Sequence, residues 1–268
     1  MSILARRVAD LGLAGAGQAE RLCGGDLSEV LLLRRPHGLA VAKAAPLAGV
    51  EASMLRALAA AGVPVPAVEA EYEGVLLLDH VDNDGVFSRR AWASIGQALA
   101  QLHGNHGDAY GWPVDYQLGT VALDNRSSDH WPSFFGEQRL RATAALLDRP
   151  WRSRVDDLAA RLGDLLPASP TPELLHGDLW TGNILVRDGA LAAFIDPAAC
   201  YGHAEADLAM LTLFAEPPPE FWTAYGTGDP GWEERRHVYQ LFPALVHLRL
   251  FGGTYAGMVD RLLTALGA

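Results

Sequence analysis

The stretch 176–196 constrains this chain more than any other part of its sequence. Within it, Asp178 and Asn183 stand five residues apart, and Asp196 follows Asn183 after thirteen residues. Two short apolar runs separate Asn183 from Asp196, and the Asp-Gly pair between them is typical of a tight hairpin turn. The pattern therefore predicts a loop followed by two short strands, an arrangement that brings three polar side chains to one place. The stretch reads His-Gly-Asp-Leu-Trp-Thr-Gly-Asn-Ile-Leu-Val-Arg-Asp-Gly-Ala-Leu-Ala-Ala-Phe-Ile-Asp.

The chemistry of these side chains suits phosphoryl transfer, which needs a base beside the acceptor hydroxyl and hard oxygen ligands for Mg²⁺. An Asp and an Asn at this spacing form the catalytic loop of protein kinases, where the Asp accepts the hydroxyl proton and the Asn binds magnesium. We therefore expect Asp178 to be the catalytic base, and Asn183 and Asp196 to be magnesium ligands. The alternative is a chance His-x-Asp-x-x-x-x-Asn in an ordinary loop, which the predicted strands and the closing Asp196 disfavour.

The basic residues are the second informative feature, because only one of the 21 is a lysine. That residue, Lys43, ends the short strand pattern Leu39-Ala-Val-Ala-Lys43. An ammonium group is a compact charge with rotatable donors that suits the oxygens of a triphosphate, whereas a planar guanidinium fork does not fit there. We expect Lys43 to bind the phosphates of ATP. The alternative is that an arginine-biased composition left one lysine by chance.

The surroundings of Lys43 fit a nucleotide site. The segments 28–34 and 39–43 read as two strands. Before them, Gly24-Gly25-Asp26 could let the backbone approach phosphate oxygens, since glycine permits positive φ, although a plain hairpin turn is the alternative. Glu51 belongs to a helical pattern and could pair with Lys43, or could instead favour the helix dipole from the first turn.

A second part of the nucleotide site is expected where Val75-Leu-Leu-Leu-Asp79-His80-Val81 runs from a buried strand into a polar edge. Such a segment fits the hinge between two lobes, where the backbone of Asp79, His80 and Val81 would bind adenine. A simple core strand would read identically. From Ser88 onward helical patterns dominate, and they cover 92–103, 132–147, 151–165, 205–214 and 232–251.

Size and composition narrow the class of protein. At 268 residues the chain can bury a substantial core, as one large domain or as two lobes. No apolar stretch reaches the roughly 20 residues that a membrane span needs, and no secretion signal is visible. Cys23 and Cys200 lie far apart and suggest no disulfide framework or zinc site. The net charge of −11 argues against nucleic acid. We expect a soluble, cytoplasmic monomer without nucleic-acid or membrane partners.

Five segments carry a family resemblance: 99–103, 131–140, 176–183, 196–210 and 247–255. On these segments the chain resembles the fructosamine kinases, also called ketosamine-3-kinases, a branch of the protein-kinase-like fold. Trp180 and the run Tyr201-Gly-His203-Ala-Glu205-Ala-Asp207 distinguish it from aminoglycoside phosphotransferases. The resemblance implies an α+β, bilobal fold, with a small N-lobe of antiparallel sheet at 1–80 and a larger, mainly helical C-lobe at 81–268.

The resemblance also implies an activity: ATP-dependent phosphorylation of the sugar 3-hydroxyl of a ketosamine, a sugar adduct of a free amine or of a protein lysine. The phosphate makes the adduct labile, so the amine is freed in a deglycation step. Ribulosamine and fructosamine are both open as the sugar. The alternatives are an aminoglycoside-type or other small-molecule phosphotransferase of the same fold, and a nucleotide-binding scaffold without catalysis.

Around the catalytic loop the resemblance assigns further roles by position. His176 and Asp207 would support the loop by hydrogen bonds. Trp180, His203 and Glu205 are candidate contacts to the sugar or its amine. Each of these three could instead be structural, by packing the loop or by forming hydrogen bonds within the fold.

Lys43→Arg should damage catalysis although it preserves the charge, because a guanidinium fork does not fit a site shaped for an ammonium. We expect kcat/KM to fall roughly tenfold or more, the scale of one lost hydrogen bond to a charged group. The measurement is the ATP-dependent kinetics of the folded variant. Kinetics equal to those of the wild type would show that the single lysine is accidental.

Overall fold

The computed structural model describes residues 2–14, 18–22, 28–226 and 230–268. The predicted phosphate turn at Gly24-Gly25-Asp26 lies outside the described residues, as does Cys23. In the described part of the chain an antiparallel sheet comes first and a mainly helical part follows. The α+β class that the sequence predicts is therefore confirmed.

The N-terminal part is built on five antiparallel strands, β1 Ala19–Arg21, β2 Val30–Arg35, β3 Gly38–Ala44, β4 Val68–Tyr72 and β5 Val75–Asp79. They lie side by side in the order β1-β2-β3-β5-β4. Two helices flank this sheet, α1 at Ile3–Asp10 and α2 at Ala48–Ala60. The strands predicted at 28–34 and 39–43 correspond to β2 and β3, with ends that differ by one or two residues.

Alternation along β3 decides which side chains meet which helix. Ala42 belongs to the apolar cluster on the α1 side of the sheet, together with Leu4, whereas Val41 packs against the cluster on the α2 side. Because successive side chains of a strand face opposite sides, Lys43 shares the face of Val41. The strand therefore directs the lysine toward α2, the helix that carries Glu51.

The C-terminal part is mainly helical and surrounds one large apolar core. Its α-helices are α3 Arg89–His103, α4 Trp131–Ser133, α5 Ala142–Ala144, α6 Arg149–Ala159, α7 Leu162–Leu165, α8 Glu205–Phe214, α9 Pro219–Tyr225, α10 Trp232–Phe251 and α11 Ala256–Ala265. Its paired strands are β6 Tyr116–Leu118 with β7 Val121–Leu123, β8 Glu173–Leu175 with β11 Cys200–Gly202, and β9 Ile184–Arg187 with β10 Ala190–Phe194. Among the described residues, no helix combines the length and the apolar character needed to cross a bilayer.

The segment 132–147, which the sequence predicts as one helix, is more complex. After α4 the backbone forms a π-helix at Phe134–Arg141, and α5 follows it. The buried guanidinium of Arg139 in this π-helix donates to the backbone oxygen of Asp124 (2.7 Å) and to the side-chain oxygen of Asn125 (2.7 Å). The π-helix thereby anchors the loop that follows β7.

A group of hydrogen-bonded side chains lies inside the helical core. Trp131 donates its indole N–H to the hydroxyl oxygen of Tyr239 (2.9 Å), and that hydroxyl donates to Nδ1 of His203 (2.8 Å). Burial first, and then the positive charge of Arg235, lower the pKa of His203 to about 3. The folded protein therefore holds His203 neutral. Glu205 accepts from Nε of Arg235 at 2.7 Å and pairs with a second nitrogen of the same guanidinium.

This neutral histidine should make stability depend on pH. The folded pKa of His203 lies below its ordinary value of 6.5, so its contribution is complete above pH 6.5 and is lost as pH falls toward 3. His203 alone should lower the free energy of unfolding by roughly 2 kcal/mol between pH 6.5 and 5. His203→Asn keeps an acceptor for the Tyr239 hydroxyl and removes the titration. Urea unfolding at the two pH values should show a smaller stability change for the variant, and equal changes would contradict the assignment.

Candidate active site

The loop between β8 and β9 holds Asp178 and Asn183 together. A single 3₁₀ turn at Thr181–Asn183 brings the Asn183 side chain back toward Asp178. There its amide nitrogen donates to the backbone oxygen of Asp178 (2.8 Å) and to Oδ2 (2.9 Å). Neither bond uses the side-chain oxygen of Asn183. The five-residue spacing thus places a potential base and a potential metal ligand in one unit.

The buried carboxylate of Asp207, near the start of α8, supports this loop. It accepts the backbone N–H groups of His176 (2.7 Å) and Gly177 (2.9 Å), and it lies 3.2 Å from Nε2 of His103 at the end of α3. Although burial opposes it, the hydrogen bond to His103 and the neighbouring donors lower the pKa of Asp207. An ionised carboxylate therefore ties α3 and α8 to the catalytic loop.

The ring of His176 provides a second support. Its Nδ1 accepts the backbone N–H of Asp178 (3.3 Å), and its Nε2 donates to the carbonyl oxygen of Ile195 (3.0 Å). Burial lowers the pKa of His176, so the ring is neutral and can play both roles. Because Ile195 directly precedes Asp196, this ring links the residue that would act as base to the one that would bind metal.

Asp196 follows the β9–β10 hairpin. The turn of that hairpin has φ values of 52° at Asp188 and 74° at Gly189, the mirror-image geometry that suits the twist of two-residue hairpins. Asp196 itself has a φ of 54°, a left-handed conformation that is uncommon outside glycine. In this conformation its Oδ1 lies 2.8 Å from Nζ of Lys43.

Lys43 lies between two carboxylates. Its Nζ is 2.7 Å from Oε1 of Glu51 and 2.8 Å from Oδ1 of Asp196, and the residue is only 7% exposed. Burial alone would lower the pKa of Lys43, but the charges of Asp196 and Glu51 outweigh burial and raise it. The ammonium is therefore protonated and fixed. The structure contains the Lys43–Glu51 pair that the sequence suggested.

Asp178 has an unusual affinity for protons. Burial raises the pKa of its carboxyl group to about 7; the Asn183 amide opposes this effect, Asp196 adds to it, and Lys43 opposes it. A carboxylate with a pKa near neutrality can take up a proton at working pH, which is the property that general-base catalysis requires.

A cleft with a volume of about 550 Å³ is lined by the charged side chains of Lys43, Glu51, Asp178 and Asp196. Another part of its lining is aromatic, with ring centroids 6.4 Å apart for Trp180 and Phe214, and 4.7 Å apart for Phe214 and His247. We call this the aromatic wall; its members are Trp180, Phe214, His247, Phe251 and Tyr255. Among the described residues that line the cleft, the carboxylates are Glu51, Asp178 and Asp196.

Two predicted substrate contacts lie elsewhere. His203 and Glu205 are 6% and 3% exposed, and both belong to the hydrogen-bonded group around Tyr239 and Arg235 in the helical core. Neither is among the described residues that line the cleft. The geometry supports the alternative that both residues are structural, because their side chains form hydrogen bonds within the fold. Trp180, in contrast, does line the cleft.

The predicted hinge residues lie at the end of β5. Asp79 is the last residue of that strand and pairs with Ala40 on β3, and His80 and Val81 follow as the chain leaves the sheet. The described lining of the cleft does not include these three residues. Their contact with adenine stays a prediction.

Several residues of the cleft were not identified from the sequence. Tyr116, on β6, donates its hydroxyl to Oε2 of Glu51 (3.1 Å), although no motif marks it. Phe214, Phe251 and Tyr255 were not singled out as site residues either, because an aromatic residue that lines a cleft has the same helical spacing as one that faces a core.

The oxygen donors of the cleft fit a magnesium ion that is held partly by its substrate. Asn183 and Asp196 offer two protein oxygens, and in the described part of the chain no group of three or more His, Cys, Asp or Glu residues could hold a metal. Mg²⁺ commonly takes one or two protein ligands and completes its octahedron with phosphate and water. The side chain of Asp196 is 37% exposed, so it can be reached.

Comparisons with known proteins agree with this geometry. The fructosamine kinase family model matches residues 39–267. A probable ketoamine kinase from Thermus thermophilus is 35% identical over 265 residues, which cover 95% of this chain and 96% of that protein.

Solved structures show the same fold. A candidate fructosamine-3-kinase from Thermobifida fusca superposes with a TM-score of 0.85 at 29% identity, over 99% of this chain and 98% of that one. An amicoumacin kinase superposes with a TM-score of 0.65 at 15% identity, over 99% and 93% of the two chains, and at that identity it shows the fold alone. The kinase-like fold expected from the sequence is confirmed, and the chain belongs to the fructosamine kinase family.

Proposed function

We propose that this protein uses ATP to phosphorylate the 3-hydroxyl group of the sugar in a ketosamine, and that this reaction serves deglycation. The observation that carries the proposal is the pairing of Asp178 with Asn183 at 2.9 Å, in one cleft with the Lys43–Asp196 pair. A base, a metal ligand pair and a phosphate-binding cation are the parts that phosphoryl transfer needs. Family membership supports a ketosamine as the acceptor.

The nucleotide side of the proposal rests on Lys43. Two carboxylates stabilise the buried ammonium group, and this offsets the free-energy cost of removing it from water. The group can therefore donate to phosphate oxygens. The amicoumacin kinase of the same fold was solved with AMP-PNP and Ca²⁺, which supports a nucleotide here. The adenine would then lie toward Asp79, His80 and Val81. Because ATP is the donor, we propose the cytoplasm as the compartment.

Asn183 and Asp196 are the residues that would hold Mg²⁺, through their side-chain oxygens. Bound there, the ion would neutralise charge on the phosphate oxygens. The protein fixes the two ligands in different ways. Hydrogen bonds to Asp178 position Asn183, and the left-handed backbone conformation positions Asp196.

Asp178 would move the proton. As the oxygen of the sugar hydroxyl forms its bond to the terminal phosphorus, the bond from that phosphorus to the bridging oxygen breaks, ADP leaves, and the carboxylate of Asp178 takes the hydroxyl proton. With a pKa of about 7, the carboxylate can be deprotonated before the step and can accept the proton during it. The amide nitrogen of Asn183 orients Oδ2 for this task.

The aromatic wall is the proposed acceptor side of the cleft. Aromatic rings stack on the apolar faces of sugars, and their electron-rich faces attract a single ammonium group. Since the cleft has no carboxylates in its described lining beyond Glu51, Asp178 and Asp196, a polycation would lack partners there. This combination favours a singly charged amino-sugar adduct, such as a ketosamine, over an aminoglycoside.

Asp178→Asn should reduce turnover by roughly 10²–10⁴-fold, the range that a general base contributes, because the amide cannot accept the proton. Nucleotide affinity should change little, since Lys43 and Asp196 are untouched. The measurement combines steady-state kinetics with calorimetric binding of AMP-PNP. Near-normal kcat in a correctly folded variant would show that Asp178 is not the base.

ADP release across a panel of acceptors tests the substrate. We expect ketosamines to be used, ribulosamine ahead of fructosamine, and aminoglycosides to be poor or inert. ADP release by the wild-type protein without an acceptor is the control for acceptor-independent hydrolysis of ATP. A higher kcat/KM for a kanamycin-like compound than for every ketosamine would assign the enzyme to antibiotic phosphorylation.

A further inference from the structure

Glu51 has a second partner besides Lys43. Its Oε1 accepts from the ammonium at 2.7 Å, and its Oε2 accepts from the hydroxyl of Tyr116 at 3.1 Å. Lys43 and Glu51 belong to the sheet and to α2, whereas Tyr116 begins the β6–β7 hairpin of the C-terminal part. One hydrogen bond therefore crosses the cleft and ends on the carboxylate that holds the lysine.

We propose that Tyr116 is a positioning residue for phosphate binding, which fixes Glu51 from the far side of the cleft and so keeps the Lys43 ammonium in place for the nucleotide. This inference rests on the proposed ATP-dependent activity and adds to it a residue outside the kinase motifs.

The need for such a residue follows from the two carboxylates around Lys43. Glu51 is 2% exposed, whereas the side chain of Asp196 is 37% exposed and is a candidate metal ligand. When Asp196 coordinates a metal ion, its carboxylate stabilises the Lys43 ammonium less. Glu51 is then the main carboxylate that fixes the position of the ammonium. A carboxylate that is free to rotate would fix that position less firmly. Tyr116 removes that freedom by binding the second oxygen.

A tyrosine hydroxyl suits this task better than a charged donor. It satisfies a buried carboxylate oxygen without adding a positive charge that would compete with Lys43 for Glu51. Burial, with the charge of Glu51, raises the pKa of Tyr116, so the hydroxyl keeps its proton. Loss of the hydroxyl would leave Oε2 buried without this donor.

The hairpin that carries Tyr116 is a firm support. Leu118, Val121 and Leu123 are buried in one cluster with Val246 of α10 and with Ala198, two residues after Asp196. Tyr116 is therefore held by the same part of the fold that positions the metal side of the cleft. The hydrogen bond to Glu51 transmits this position to the phosphate-binding lysine.

The test is Tyr116→Phe, measured by calorimetric binding of AMP-PNP with Mg²⁺ and by kinetics. We expect nucleotide affinity to fall about tenfold, the effect of losing one hydrogen bond to a charged group. The KM for ATP should rise by a similar factor, while the KM for the acceptor stays within about twofold of the wild type. Tyr110→Phe is the control, because it removes a tyrosine hydroxyl that donates to the backbone oxygen of Pro170, outside the cleft.

A double-mutant cycle with Glu51→Gln separates positioning from general loss of stability. If Tyr116 acts through Glu51, adding Tyr116→Phe to Glu51→Gln should weaken nucleotide binding by less than twofold. Additive losses, or nucleotide affinity within twofold of the wild type in Tyr116→Phe, would overturn the inference, as would a wild-type protein that binds no nucleotide. If the variants behave as expected but no ketosamine is phosphorylated, the proposed acceptor fails and the role of Tyr116 stands.

Discussion

The Lys43 ammonium, held between Glu51 and Asp196, is the interaction on which the rest of the site depends. It joins a strand of the sheet, the helix α2 and the residue after the β9–β10 hairpin, which are distant from one another in the sequence. Lys43 and Glu51 are buried, and buried charges are costly unless each has a partner. The fold supplies those partners without a bound ligand, so the charged groups of the cleft are positioned before a ligand binds.

The catalytic loop follows the same rule with different groups. Asp207 is ionised because the hydrogen bonds from His103 and from two backbone N–H groups outweigh its burial. His176 is neutral because its burial outweighs the neighbouring carboxylates, and His203 is neutral because burial and the charge of Arg235 act in the same direction. Asp178 lies between these cases, with a pKa near 7. Burial is shared by all four residues; the balance of burial, neighbouring charges and hydrogen bonds decides which of them carries a charge.

Local patterns predicted much of this structure. The segments 205–214 and 232–251, which the sequence predicts as helical, are α8 and α10 with the same ends. The loop and hairpin after His176 were also predicted, since turn residues and alternating strands are local signals. The π-helix at Phe134–Arg141 was not, because its apolar spacing resembles that of an α-helix closely enough to hide the wider turn.

What the sequence could not predict depends on contacts between distant segments. The pairing of β8 with β11 joins residues 25 to 29 positions apart in the sequence, and strands of three residues are too short to predict it. Tyr116 meets Glu51 across 65 residues, and no local rule connects them. His203 and Glu205 follow Asp196 closely in the chain, yet their side chains point into the core, because proximity in sequence does not say which side of a loop a side chain takes.

The scarcity of lysine has a chemical consequence. Reducing sugars condense with amines that have lost their proton, and within these 268 residues Lys43 is the only side-chain amine. It is buried, and its neighbours keep it protonated. Arginine therefore supplies positive charge over the rest of the surface without offering an amine of this kind. A protein that works among sugars and their amine adducts would, with this composition, present them with almost no lysine of its own to modify.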